Sequence, residues 1–435
     1  MGLNDEQKIQ IVPHHQLDYP ALLRYLSFHP GFPCSQHIRN HFLAQYGAYV
    51  KHPDLADKQI DDDPWRTYHD YRKGSVIVAI GDVPASVRKG DHLQDDPNEE
   101  SVWAIVAVFP SYSPGWVTLS DYDKNQCDSL WNAIRTTFWL STEIPFQQQI
   151  TPDQVRQASV QERNLLKFIF QQHLPKAFSH IASSLPAHSN VKKYEDDNTL
   201  TLSDLHAINH IWMKELQSIQ EDIAGDDHSF KMVRCNPCVN FTMPEDIALH
   251  LKNDIDASRW KVGLMGDHPG ELEMVVKSNN VRYPMFYTKG RRHLSVVLRD
   301  QEGFNEHMQM EDQEYPTKVY PGAPAGWAYS HDDFSLGSLH VAEPYRRLKR
   351  DGGDKVKKQG VGTVCLALMA GMLVQCQKDA LSSAGCLDFE KLPTPIISDA
   401  EQHKVVAVAF HRSAGFAPQS ITSWGAYAIR ATQNV

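Results

Sequence analysis

The stretch VAEPYRRLKRDGGDKVKKQGVGTVCLALMA, residues 341–370, runs from an extended segment through a basic, glycine-broken loop into a helical pattern. Between Tyr345 and Gly362 it carries seven Lys and Arg against two Asp, in a chain of formal net charge -10. Apolar residues then recur at the i, i+3, i+4, i+7 spacing of an amphipathic helix; they are Val361, Val364, Cys365, Leu368, Met369, Met372, Leu373 and Cys376. We therefore predict a buried helix that begins at the glycines.

This loop favours an anionic ligand. A helix N-terminus has unpaired N–H groups and about half a positive charge, and glycine lets an anion approach the backbone closely. Phosphate or pyrophosphate is the anion that the pattern suggests, although the same residues also suit a solvated surface loop. A P-loop is excluded because no glycine here is followed by Lys and then Ser or Thr. A dinucleotide fingerprint fails because Cys365 stands where its third glycine belongs.

The residues before the loop carry a family resemblance. GAPAGWAYSHDDFSLGSLHVAEPYRR (322–347) resembles the run of the GCN5-related N-acetyltransferases (GNAT) in which a Gly-Trp strand turns back into a second strand, followed by a glycine loop and its helix. The Gly-Trp pair, the EPYR segment and the length are most similar to the glycine N-acyltransferase branch. The resemblance covers about residues 320–416 and is only suggestive for the N-terminal part.

The resemblance implies an α/β fold of the GNAT type, with a mixed, mostly antiparallel splayed sheet and flanking helices. At 435 residues the chain is longer than one hydrophobic core usually supports. We predict an N-terminal α/β domain over 1–150, which the resemblance suggests is a degenerate GNAT-like copy. A helical connector with a flexible linker over 151–230 and a C-terminal GNAT acyltransferase domain over 231–435 follow.

The resemblance also implies a site for acetyl-CoA or another acyl-CoA as co-substrate. The backbone of Leu339, His340 and Val341 would hold the pantetheine and polarise the thioester. The predicted contacts to the rest of the cofactor are Arg346, Arg347, Lys357, Lys358, Gln359, Gly360, Val361, Gly362 and Thr363. Eleven residues, LKRDGGDKVKK, separate Arg347 from Gln359, so the chain departs here from the family pattern.

Three side chains are candidates for catalysis. The acceptor enters as an ammonium ion and must lose a proton, which suits a base with a pKa near 7. Glycine N-acyltransferases have a Glu where this chain has Ser335, so we predict His340 as the base, with a polar strand position as the alternative. Asp399 is predicted at the acceptor end of the cleft, or as a turn residue. His411 matches a family Tyr that protonates the leaving thiolate, or is a surface histidine.

These residues predict an acyl-CoA-dependent N-acyltransferase acting on the amine of a small molecule or amino acid, by direct transfer in a ternary complex. A catalytically weakened CoA-binding or interaction module of the same fold, or a protein N-acetyltransferase, is the alternative. Nucleic acid is disfavoured as a partner because the chain is acidic and its basic cluster is local. The sequence does not indicate an oligomeric state.

Composition sets the remaining expectations. Seven widely spread Cys and a polar N-terminus predict reduced thiols and a cytoplasmic location, with a mitochondrial one left open. The sequence has no H-E-x-x-H motif, and no partner ligands follow Cys235 and Cys238, so no metal is expected. The lack of a run of about 18 apolar residues predicts no membrane association.

Periodicity predicts elements elsewhere. We expect strands within 74–82, 101–110, 270–278, 291–300, 326–341, 393–399 and 420–429, and a helix near Leu17–Leu26. Helical spacing over 127–140, and in the segments that begin at Thr151 and at Ser203, predicts further helices. The segment 183–198, which is almost without apolar residues, predicts a surface linker.

Overall fold

The computed structural model describes residues 9–29, 32, 35–51, 76–90, 101–110, 134–142, 159–177, 180, 199–209, 218–219, 230–251, 258–268, 271, 294–302, 304–310, 313–319, 321–331, 333–346 and 360–430. Predictions for the strand beginning at Gly270, the helix start at Thr151 and the linker at 183–198 lie outside these residues. So do the predicted cofactor contacts Arg347, Lys357, Lys358 and Gln359.

Fourteen strands are present in the described residues. They are β1 (Ile11–Pro13), β2 (Val76–Gly81), β3 (Trp103–Pro110), β4 (Ile134–Leu140), β5 (Thr199–Asn209), β6 (Phe230–Met243), β7 (Trp260–Gly263), β8 (Ser295–Asp300), β9 (Phe304–Met310), β10 (Gln313–Val319), β11 (Ala323–Ser330), β12 (Leu336–Val341), β13 (Ile396–Glu401) and β14 (Ala417–Arg430). Twelve of them form one sheet in the order β1-β2-β3-β4-β5-β14-β6-β13-β12-β11-β8-β7, and β9 and β10 form a separate hairpin.

In the large sheet, the sequence of parallel and antiparallel strand pairs is the same when counted from either edge. All of its neighbouring strands pair antiparallel except at two junctions, β4 with β5 and β12 with β13, which are parallel. Four strands lie outside each junction, and four lie between the two junctions. The α/β fold with a mixed, mostly antiparallel sheet that was predicted from the sequence is therefore confirmed.

The two parts of the chain exchange strands at the centre of this sheet. The first part, which we call the N-terminal half, ends in β6, and the second, the C-terminal half, ends in β14. β6 pairs with β13 of the C-terminal half, while β14 pairs with β5 of the N-terminal half. β6 and β14 also pair with each other. The domain boundaries at 150 and 230 stay predictions.

Seven α-helices of the described residues flank the sheet. They are α1 (Tyr19–Phe28), α2 (Gln36–Lys51), α3 (Val160–Phe168), α4 (Glu245–His250), α5 (Glu343–Arg346), α6 (Val361–Ser383) and α7 (Val405–Ser413). α3 and α6 are crossover helices, because each follows the first strand of a parallel junction and precedes the second. A right-handed crossover of this kind is the usual connection between parallel strands.

The helix predicted after the glycine loop is confirmed as α6. Its length and apolar composition would also suit a membrane span, and it is the one described helix of which this is true. Its apolar side is buried in the fold, where Leu366, Met369 and Leu373 belong to the largest apolar cluster together with residues of α1, α2, β11 and β13. This packing explains the apolar pattern as that of a core helix.

Two predicted helices are strands. Residues 127–140 show helical spacing, but Ile134–Leu140 forms β4. The segment from Ser203 was expected to be helical, but Thr199–Asn209 forms β5, paired on both sides with β4 and β14. In β4 every side chain from Thr136 to Leu140 is buried, so the strand lacks the alternation that distinguishes it from a helix.

Candidate functional site

The strands β12 and β13 part almost as soon as they meet. They pair in parallel at one position, Leu336 opposite Ser398. After that pair, β12 stays bonded to β11 and β13 stays bonded to β6, so the two strands diverge. We call the space between them the gap.

The backbone of β12 alternates between β11 and the gap. The N–H of Ala342 donates to the C=O of Ala325 at 2.9 Å, toward β11. Because polar groups alternate along an antiparallel strand, His340 also directs its backbone toward β11, whereas Leu339 and Val341 direct theirs toward the gap. The C=O of Val341 accepts a hydrogen bond from Nε of Arg346 at 2.6 Å.

The first turn of α6 lies beside the same strand. Gly360 is the N-cap, with φ -68° and ψ 148°, and it has no side chain to bond the helix. Its C=O accepts from the N–H groups of Thr363 and Val364 at 2.9 and 3.1 Å. The N–H groups of Val361 and Gly362 therefore have no acceptor within the helix and point out of its first turn.

Gly362 sets how closely this turn approaches β12. A Cβ at Gly362 would lie 3.1 Å from Cγ2 of Val341, which is tighter than an ordinary van der Waals contact. A larger side chain would therefore separate the N–H groups of α6 from the end of β12. The gap and the helix start thus form one continuous surface of backbone donors and acceptors.

His340 is poorly suited to the role of base. Its ring stacks on Trp327, with centroids 4.4 Å apart and planes at 15°. Nη2 of Arg346 lies 2.9 Å from its Nε2, so a ring nitrogen accepts a charged hydrogen bond. Burial and then the Arg346 charge lower the pKa of His340 to about 4. The ring is neutral at pH 7, but it is a weak base.

His411 lies inside the fold, with 8% of its surface exposed. Its Nδ1–H donates to the C=O of Ala407 at 2.7 Å, which leaves Nε2 to accept from Oγ–H of Ser398 at 2.8 Å. The ring also stacks on Phe241 at 4.8 Å. Burial lowers the pKa of His411, so the ring is neutral and supports Ser398 at the point where the strands part. Its role as a proton donor stays a prediction.

Asp399 is the first residue of β13 beyond the last pair with β12. It stands opposite Asn240 in the register of β6 with β13, and its side chain is half-buried. The thiol of Cys238 is hydrogen-bonded to Asp399; burial and then the Asp399 charge raise its pKa, so the thiol stays protonated. Asp399 therefore lies on β13, across the gap from Leu339, with its carboxylate against Cys238 of β6.

Two buried residues near the gap were missed by the sequence analysis. His37 of α2 bonds Asp333 of the turn between β11 and β12 through Nδ1 and Oδ2, 2.7 Å apart. Asp333 also accepts from the N–H and Oγ–H of Ser335 at 3.0 and 2.5 Å. His37 and Asp333 are 296 positions apart in the sequence, and no local pattern links them.

The structure groups the predicted residues in two sets. The predicted cofactor contacts at the ends of β12 and α6 lie together; those described are Leu339, His340, Val341, Arg346, Gly360, Val361, Gly362 and Thr363. Asp399 and His411 lie on the β13 side. Within the residues that can be described, no group of three or more His, Cys, Asp or Glu is arranged to hold a metal ion.

No protein-family model and no curated protein sequence matches the chain. Solved structures that align over nearly its whole length include a Drosophila protein, at 10% identity and a TM-score of 0.49, covering 97% of this chain and 98% of that one. A tandem GNAT protein from the clavulanic acid biosynthesis pathway aligns at 8% identity and TM-score 0.37, covering 98% and 100%. A GCN5-related N-acetyltransferase from Sphaerobacter thermophilus aligns at 9% and 0.39, covering 99% and 98%.

Likenesses this remote establish neither an activity nor a substrate for the chain. None of these three structures is described as a glycine N-acyltransferase, so the resemblance to that branch has no support here.

Proposed function

We propose that the chain is an acyl-CoA-dependent N-acyltransferase that transfers an acyl group to an amine in a ternary complex. The observation that carries this proposal is the gap between β12 and β13 beside the start of α6, where the N-cap residue is a glycine without a capping side chain. A gap edged by backbone groups suits an extended amide-containing chain, and an open helix N-terminus suits phosphate oxygens. An acyl-CoA molecule contains both an extended amide-containing chain and phosphate groups.

Each part of the surface then has a role. The N–H groups of Val361 and Gly362 would hold pyrophosphate oxygens, and Arg346 adds positive charge nearby. The backbone of Leu339 and Val341 would bind the amides of the pantetheine. Acyl-CoA supplies the activated thioester. In the overall reaction a C–N bond forms and a C–S bond breaks; the ammonium nitrogen loses two protons, one to the thiol product and one to solvent.

The acceptor would bind on the β13 side of the gap. His340 is held by Arg346 and has a pKa of about 4, which makes it a weak base. The Asp399 carboxylate, at the position where the strands part, is better placed to attract an ammonium ion. We therefore assign Asp399 to the acceptor.

Acetyl-CoA is expected to raise the melting temperature of the protein, since a ligand at a hundredfold excess over its Kd stabilises the folded state by about 2.7 kcal/mol. The measurement is a thermal-shift titration, followed by free-thiol release with a panel of amines. Gly360→Val and Gly362→Val should abolish the shift, because their side chains occupy the anion side of α6. Gly371→Val is the matched control, since a Cβ at Gly371 meets nothing within 4 Å.

The absence of a shift in the wild-type protein would exclude acyl-CoA binding. A shift that survives in Gly362→Val would show that the nucleotide binds elsewhere. The low pKa of His340 also favours a second candidate function, a CoA-binding module with weak or no catalysis. A shift without thiol release for any amine would support that module.

We expect one acetyl-CoA per chain, although the sheet has two parallel junctions. The crossover helix α3 of the N-terminal half is closed by a capping box, in which Ser159 accepts from the N–H of Glu162 at 3.2 Å and the Glu162 carboxylate bonds the N–H of Ser159. A carboxylate at a helix start repels phosphate and occupies its donors. Isothermal titration calorimetry should give a stoichiometry of one; a value of two would contradict this reading.

A further inference from the structure

A buried pair joins the two halves of the chain beside the gap. His37 belongs to α2 of the N-terminal half and is 4% exposed, while Asp333, in the turn that leads into β12, is 1% exposed. Nδ1 of His37 lies 2.7 Å from Oδ2 of Asp333. The other oxygen of Asp333 is bonded by Ser335. This carboxylate thus holds α2 against the residue that precedes β12.

The second contact of His37 leads toward the gap. The side chain of Asn240 hydrogen-bonds the His37 ring. The Asn240 amide nitrogen donates to Oγ of Ser420 at 3.1 Å, and its oxygen accepts from Thr422 at 3.2 Å. These two hydrogen bonds hold the Asn240 amide in one orientation beside the His37 ring.

This environment favours the imidazolium form of His37. Burial alone would lower its pKa, but the hydrogen bond and the charge of Asp333, with Asp399 and Asn240, outweigh burial and raise it. The positive charge of His37 then balances the negative charge of Asp333 within the buried pair. The carboxylate of Asp399 also lies close enough to His37 to raise its pKa.

Asn240 connects the pair to the acceptor side. It stands directly opposite Asp399 in the antiparallel register of β6 with β13, where side chains of facing residues are about 5 Å apart. Asn240 is held by hydrogen bonds to Ser420, Thr422 and His37. His37 is held in turn by Asp333. Asp399 therefore faces a side chain that contacts α2 through His37 and β14 through Ser420 and Thr422.

We propose that α2 completes the acceptor side of the gap: the His37–Asp333 pair, acting through Asn240, positions the Asp399 carboxylate, which binds the ammonium group of the acceptor. This inference rests on the proposed function. His37 and Asp333 are positioning residues, because they are buried and act through Asn240. Since Asp399 adds negative charge, the site favours amines that lack a carboxylate beside the nitrogen over amino acids.

Phenethylamine and phenylalanine differ only by that carboxylate and serve as probes. Calorimetric binding of phenethylamine to the CoA-saturated protein should weaken about tenfold in Asp399→Asn and in His37→Gln, as expected for loss of one charge-assisted hydrogen bond. In turnover assays the same variants should raise the KM for the amine, while the Kd for acetyl-CoA stays unchanged. Wild-type kcat/KM should be higher for phenethylamine than for phenylalanine.

Two controls separate positioning from folding. His41→Gln changes another histidine of α2, one turn further on, which bonds Thr137 of β4 at 2.9 Å. It should reduce stability as His37→Gln does and leave amine binding unchanged. The double variant His37→Gln with Asp399→Asn should bind the amine no more weakly than Asp399→Asn alone, because residues that act as one unit are not additive.

Additive losses in the double variant, equal losses in His41→Gln, or no binding of phenethylamine by the wild-type protein would each overturn this inference. Equal or higher kcat/KM for phenylalanine would overturn the assigned class of acceptor. Failure of acetyl-CoA to shift the melting temperature instead overturns the proposed function, and it leaves the calorimetric comparison of amine binding in the apoprotein as the test of the Asp399 site.

Discussion

Arg39→Met is expected to lower the free energy of unfolding by about 3 kcal/mol, because several buried acceptors lose a charged donor at once. Arg39 is fully buried in α2. Its guanidinium donates to Ser27 at 2.9 Å, to the C=O of Pro393 at 2.7 Å and to Gln377 at 3.0 Å. Asn40 is a further acceptor. These bonds join α1 and α2 to α6 and to the segment before β13.

Burying the positive charge of Arg39 itself destabilises the fold. For this reason the expected decrease in the free energy of unfolding is not larger. Burial lowers the pKa of Arg39 to about 9, so the side chain is still a cation at pH 7. Methionine removes the cost of burying that cation, but it leaves the oxygens of Pro393 and Gln377 without a donor.

Urea unfolding followed by tryptophan fluorescence measures the change, with the m-value as a check that the transition is of the same kind. Arg24→Met on the neighbouring helix α1 is the control. Arg24 is 58% exposed and pairs with Asp388 at the surface, where such a pair is worth about 0–1 kcal/mol. If both variants lost the same small amount, the buried network would not be stabilising the contact between α2 and α6.

Predictions from the sequence were most accurate where one short segment contains both the periodic pattern of a helix or strand and the residue at which it begins. α6 was predicted because its apolar spacing continues over several turns and starts at a glycine. β11 and β12 were predicted from the resemblance of residues 322–347 to a run in which one strand turns back into a second. Asp399 was proposed from a position after a strand, whereas it lies within β13, and its role at the acceptor stays a prediction.

The failures come from contacts between distant segments. β5 has the same short apolar spacing as a helix, and it is a strand because β4 and β14 pair with it on both sides. A local pattern does not contain those partners. The pairing of His37 with Asp333 likewise depends on the packing of α2. At His340 the cause is nearer in the sequence, because burial and then the charge of Arg346 lower the pKa of its ring.

Gly326→Ala is expected to weaken acetyl-CoA binding more than tenfold and to destabilise the fold by about 1–3 kcal/mol, the usual cost of overpacking. A Cβ at Gly326 would lie 2.6 Å from Cγ1 of Val361, 3.0 Å from the C=O of His340 and 3.2 Å from Sγ of Cys365. The carbonyl belongs to β12 and has little freedom to move. The first turn of α6 must therefore shift away from the strand.

This shift would act on the proposed anion site directly, because Val361 and Gly362 supply the outward N–H groups of α6. The double variant Gly326→Ala with Val361→Ala tests the mechanism, since it removes the atom at 2.6 Å. It should recover most of the acetyl-CoA affinity in calorimetry, although the C=O of His340 leaves some strain. If Gly326→Ala alone bound acetyl-CoA like the wild-type protein, the contact between α6 and β11 would not control the site. Recovery in the double variant would show that the close approach of α6 to the sheet, rather than the glycine itself, is what binding requires.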